Sequence, residues 1–183
     1  AYGAGLAGGD TVGTPGDGSA AAGFARDMST HHAQAVTMAE TIRDRTDEED
    51  LRLLASDIAL TQQSQIGRMQ GWLDTWGLPR TGTKPPLAWA DVSIETAMDE
   101  MPGMAGTDDL AMLAEAPVEE AEDLFLELMI GHHTAGVAMA EAALAEDVPR
   151  EVRILAQGIV ESQRAEIDLM RQAMRERSRA STQ

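Results

Sequence analysis

Cysteine is absent from all 183 residues, so neither a disulfide framework nor a thiolate metal site can form. Any soft ligand must therefore be methionine or histidine. Basic residues are scarce: 14 Lys and Arg stand against 31 Asp and Glu, a formal charge of −17. Such a surface repels phosphate backbones and anionic membranes and attracts cations, which excludes nucleic acid as a partner and favours metal ions. No apolar run approaches the roughly 20 residues that cross a bilayer, so no transmembrane segment is expected. With no cysteine and no serine in a G-x-S-x-G elbow, nucleophilic catalysis has no support, and the chain reads as a non-enzyme without an organic cofactor.

What is present is helical and repeated. Shifting the sequence against itself by 101 positions aligns Phe24 to Asp74 with Phe125 to Arg175 without a gap, and fifteen positions are identical. They include Phe24/Phe125, Met28/Met129, His31/His132, His32/His133, Met38/Met139 and Glu40/Glu141, then Arg52/Arg153, Gln62/Gln163 and Met69/Met170. In each copy apolar residues recur at three-and-four spacing, the period of a helix with one buried face. Helices are predicted over 21–44, 48–76, 117–146 and 149–177, with Pro117 and Pro149 in first-turn positions, where a missing amide proton costs nothing. Almost no segment has strand character.

The fold class that follows is all-α: a ferritin-like four-helix bundle made of two duplicated helical hairpins, 21–76 and 117–177, joined by a long crossover over 77–116. Residues 21–183 read as one domain. The Gly-, Ala- and Thr-rich residues 1–20 read as a flexible tether, of the kind left when an export signal or lipoprotein anchor is removed; any trimmed N-terminus would look the same. The expected location is secreted or extracytoplasmic, with membrane tethering through the N-terminus and a homodimer both left open.

All four histidines lie in two related segments, MSTHHAQAVTMAE (28–40) and MIGHHTAGVAMAE (129–141). Antiparallel first helices would bring both His-His pairs to the bundle midplane. Met28 and His32 are four apart, as are Met129 and His133, while His31 and Met38, like His132 and Met139, are seven apart. Imidazole with thioether favours Cu(I) or Ag(I). Against this, methionine at helical spacing commonly fills cores, and a buried His-His layer can serve as a polar network that specifies packing. In the crossover, Met98, Met101 and Met104 form a second candidate, whose plainer reading is a short helix covering the bundle until Pro102 interrupts it. Trp72, Trp76 and Trp89 read as packing anchors, Glu40 and Glu141 as partners of Arg52 and Arg153, and Gln62 and Gln163 as residues that orient the imidazoles. A di-iron oxidase is disfavoured, because no Glu stands three residues before a His.

The pattern F-x3-M-x2-HH-x5-MAE followed by I-x3-Q-x3-I-x2-M, present twice and separated by MPGM, resembles the bacterial domain-of-unknown-function 305 family. The resemblance spans nearly everything after Gly23. It implies a ferritin-like fold, an exported or membrane-anchored protein, and handling of copper or silver by some members. Carried over by position, it points to Met28, His31, His32, Met38, Met129, His132, His133 and Met139, with Met101 and Met104 from the crossover.

Overall fold

A computed structural model of the protein describes residues 13–90 and 101–180. Five helices form, and no strand occurs among the described residues: α1 (Ala20–Arg43), α2 (Glu49–Thr75), α3 (Thr107–Glu115), α4 (Val118–Ala145) and α5 (Arg150–Ala180). Each start and stop has a local cause. Ser19 caps α1, its hydroxyl accepting from the Ala22 amide at 3.3 Å. Glu49 and Asp50 set negative charge in the first turn of α2. That helix ends where Gly77 takes φ +69° and the Leu78 amide donates back to the Leu73 carbonyl at 2.8 Å, a closure that favours glycine.

The hairpin, crossover and hairpin order is the one expected, with three differences. The crossover contains α3, which the four-helix reading omits; its nine residues are too few for periodicity to declare. Pro117 and Pro149 stand one residue ahead of their helices, their carbonyls accepting from Ala121 and Arg153. Part of the tether segment is also structured, since the α1 cap lies at Ser19; residues 1–12 and Met98 lie outside the described residues.

Helix α1 packs on α2, α4 on α5, and α1 on α4, with α3 laid against both α1 and α4. The two first helices run antiparallel, because the start of α1 shares a core with the end of α4 and the reverse holds at the other end. One core joins Phe24, Met28, Met69 and Leu73 to Met139, Ala140, Val152 and Ile159. The other joins Met38, Ile42 and Ile58 to Phe125, Met129, Ile167 and Met170. The duplicated phenylalanines thus anchor opposite ends, and the histidines fall between the two cores.

Each end is closed by a polar clasp. At one, Thr46 donates to the buried Glu122 carboxylate at 2.5 Å, and Arg177 reaches Glu122 at 3.0 Å and Asp123 and Glu48 at 2.5 Å. At the other, Asp27 accepts from the Leu87 amide and the Trp89 indole, both at 2.8 Å, which ties the crossover to α1. Trp89 packs edge-on to Phe24 and lies directly over Gly23, where a Cβ would stand 2.2 Å from a ring carbon. Trp72 and Trp76 stack on each other beside the same core. Gly23→Ala is therefore expected to destabilise the protein despite the better helix propensity of alanine. Forcing Trp89 off its seat costs about 1–3 kcal/mol, more than the roughly 1 kcal/mol alanine gains in a helix. A thermal melt that rose on this substitution would show Trp89 to be loosely seated.

Candidate metal site

Four imidazoles occupy the layer between the two cores, and His31, His32, His132 and His133 are all fully buried. The rings of His31 and His132 stack with centroids 3.7 Å apart and planes 29° from parallel. Each ring makes one hydrogen bond through Nε2. His31 reaches the Pro102 carbonyl at 3.2 Å and His132 the His31 carbonyl at 3.0 Å. His32 reaches Gln65 Oε1 at 2.7 Å, and His133 the Glu166 carboxylate at 2.6 Å. Carbonyl and carboxylate oxygens can only accept, so the proton sits on Nε2 and a neutral ring keeps its lone pair on Nδ1. All four Nδ1 atoms are buried with no hydrogen-bond partner.

Burial also keeps three of these rings, those of His31, His32 and His132, neutral. It pushes the pKa of His31 from 6.5 down to about 4 and that of His32 to about 3, with neighbouring imidazoles pressing the same way. His132 is held well below 6.5, first by burial and then by His31 and His133. At neutral pH these three present lone pairs, the state in which imidazole binds metal.

The methionines bracket the layer. Met28 and Met139 belong to the core on one side of it, Met38 and Met129 to the core on the other, and all four are fully buried. Met101 and Met104 are partly buried and bracket a turn, with the Met104 amide 3.5 Å from the Met101 carbonyl; the short helix expected ahead of Pro102 falls on residues outside those described. That turn is fixed on both sides. Gln34 grips Ala105 with two hydrogen bonds of 2.9 and 2.7 Å, and Gly103 at φ +71° lies against the α4 backbone.

Several readings need correction. Gln62 and Gln163 are buried, but no hydrogen-bond partner is found for either side chain; the imidazole partners are Gln65 and Glu166, one helical turn further along. Gln163 instead fills the space over Gly136. Glu40 lies 4.0 Å from Arg43 and Glu141 2.5 Å from Arg164. Arg52 and Arg153 bind carbonyls at the helix ends instead, Arg52 that of Thr46 and Arg153 those of Leu144 and Glu146. Among the described residues no group of three or more His, Asp or Glu side chains is placed to hold a metal ion, so a carboxylate-rich di-iron centre is not assembled there.

An all-α bundle whose buried imidazole layer is flanked by thioethers defines the class of protein. Residues 21–174 match the family described as Domain of unknown function (DUF305), and the chain belongs to that family. It is similar to a DUF305 protein of Streptomyces coelicolor inferred to be secreted (45% identity, 89% of this chain and 96% of that one, TM-score 0.83). It is also similar to a DUF305 fragment of Deinococcus radiodurans (37% identity, 86% and 96% covered, TM-score 0.73). CopM in its Cu(I)-bound form shares 28% identity over 84% of this chain and 94% of its own, at a TM-score of 0.65, and CopM is also known bound to Cu(II) and to silver. An uncharacterized protein of Acanthamoeba polyphaga mimivirus is 40% identical over 47 residues, so this chain matches about a third (31%) of its length. No helix among the described residues is long and apolar enough to cross a membrane.

Proposed function

We propose that this protein binds a soft monovalent cation, Cu(I) or Ag(I), outside the cytoplasm, sequestering it or passing it on without catalysing a reaction. The observation that carries this reading is the set of four buried Nδ1 atoms without partners, on rings whose Nε2 atoms are each already held. Fixing the far ring nitrogen is how proteins orient an imidazole for a metal. Met28, Met38, Met129 and Met139 supply the sulfur that selects monovalent copper and silver over zinc or iron, and Met101 and Met104 stand at the crossover face. The strongly acidic chain draws cations towards it. Metal-bound forms of CopM support the same direction. Residues 21–183 act in this reading as one domain, with the segment before α1 as a tether.

A second reading has an observation of its own. The His31–His132 stack and the complete set of Nε2 hydrogen bonds would also make the layer a packing device.

Titration of the purified protein with Cu(I) and Ag(I), against Zn(II) and Fe(II), separates the two. Perturbation of the methionine methyl and histidine ring signals within 28–38 and 129–139, by the monovalent ions alone, is the expected result. Exchanging Met28 and Met139 for leucine, a swap of similar volume, is expected to cost less than about 1.5 kcal/mol of stability while weakening Ag(I) binding at least tenfold. Silence of every signal towards every ion would make the layer structural.

A further inference from the structure

The two copies of the motif differ at one atom that matters to a metal. His32 and His133 are equivalent residues, each bonded through Nε2 to the residue 33 positions later, but the acceptor is the neutral amide of Gln65 in the first copy and the carboxylate of Glu166 in the second. The other two rings bond neutral backbone carbonyls. Among the described residues Glu166 is thus the one carboxylate hydrogen-bonded to an imidazole of the layer. It lies 2.6 Å from Nε2 with its side chain 17% exposed, where a charge-assisted bond is little screened.

We infer that Glu166 is a positioning residue that makes His133 the strongest donor of the four imidazoles, so that a soft cation engages the second copy of the motif first. A carboxylate accepting the Nε2 proton pushes electron density through the ring to Nδ1 and holds the ring against rotation, and both effects strengthen a bond from Nδ1 to metal. The amide of Gln65 holds His32 in the same way without adding charge. The halves of the bundle are therefore unequal ligands, and loading is ordered.

This inference rests on the soft-cation reading, and the test keeps the two apart. Substoichiometric Ag(I) is added to the full chain, and the ring signals of His133 and His32 are followed by NMR, with affinity measured by competition. In the wild-type protein His133 is expected to shift first. Glu166→Gln, which copies the first half, is expected to weaken the tightest binding about 10–100-fold and to remove the order, so that His32 and His133 shift together. Gln65→Glu is expected to bring His32 level with His133 from the other direction. Glu161→Gln removes a charge from the exposed side of the same helix and is expected to change neither order nor affinity by more than twofold. If Glu166→Gln keeps both the affinity and the order, or matches Glu161→Gln in effect, the inference is overturned while the soft-cation reading stands. A wild-type protein that binds no Ag(I) overturns both.

Discussion

Lowering the pH from 7 towards 4 is expected to unfold the protein well before its carboxylates are neutralised, because His31, His32 and His132 can be buried or protonated but not readily both. Burial depresses the folded-state pKa of His31 to about 4 and of His32 to about 3 from 6.5, and holds His132 well below 6.5. Between these values and 6.5 the unfolded chain binds more protons than the folded one. The stability these rings contribute is therefore complete above pH 6.5 and is lost as the pH falls through that window. Each group costs about 1.4 kcal/mol per pH unit once it is past its unfolded pKa. At pH 5 His31 and His32 alone amount to roughly 4 kcal/mol, a large share of the stability of a domain of this size, and His132 adds in the same direction. Asp27 works the other way: burial raises its pKa, so acid relieves a buried charge there, but it is a single group against three. Melting temperature followed by circular dichroism from pH 8 to pH 4 should be flat above 7 and fall steeply below 6.5. A melt unchanged between pH 7 and pH 5 would mean that the rings are not buried as a layer.

Periodicity and the 101-residue repeat were enough to place four long helices to within a residue or two at most ends, because long amphipathic segments impose their period on the sequence. The greatest miss is the end of α5, three residues beyond the expected 177, on a polar stretch where no apolar position marks a stop. The same self-alignment located the histidines at the midplane. The imidazole partners escape a comparison of identities: Gln62 and Gln163 match letter for letter, whereas Gln65 and Glu166, at the same offset, differ in charge. Residue 65 lies one helical turn beyond residue 62 on the same face of α2, so both point towards α1, and only packing decides which meets the ring. Glu40 and Glu141 mislead in the same way, because a duplicated Arg suggests a duplicated ion pair. Backbone carbonyls where α1 and α4 give way to the next helix, Thr46 in the first copy and Leu144 and Glu146 in the second, give Arg52 and Arg153 their partners instead. The MPGM turn was the least legible element, since its shape follows from α4 and not from its own neighbours in sequence.

That dependence makes Gly103 the position where a single methyl group should do the most damage. Gly103 holds φ +71°, a conformation that costs a residue with a side chain about 1–2 kcal/mol. A Cβ there would stand 2.6 Å from Ala135 Cβ and 2.8 Å from the Gly131 carbonyl oxygen, and neither can yield, one being fixed to the α4 backbone and the other part of it. In Gly103→Ala the turn has to lift. Lifting it withdraws the Pro102 carbonyl from His31 and strains the paired bonds between Gln34 and Ala105. A buried Nε2 proton left without an acceptor costs about 1–3 kcal/mol, so the total expected loss is about 2–5 kcal/mol. The partition can be checked. Ala135→Gly in the same chain removes one of the two close contacts but neither the backbone strain nor the clash with Gly131, so it is expected to restore less than half of the loss. Urea denaturation of the two variants measures this directly, and the His31 ring signal should broaden or move in both. A Gly103→Ala protein within about 1 kcal/mol of wild type would mean that the turn adapts freely and that His31 does not depend on it for its acceptor.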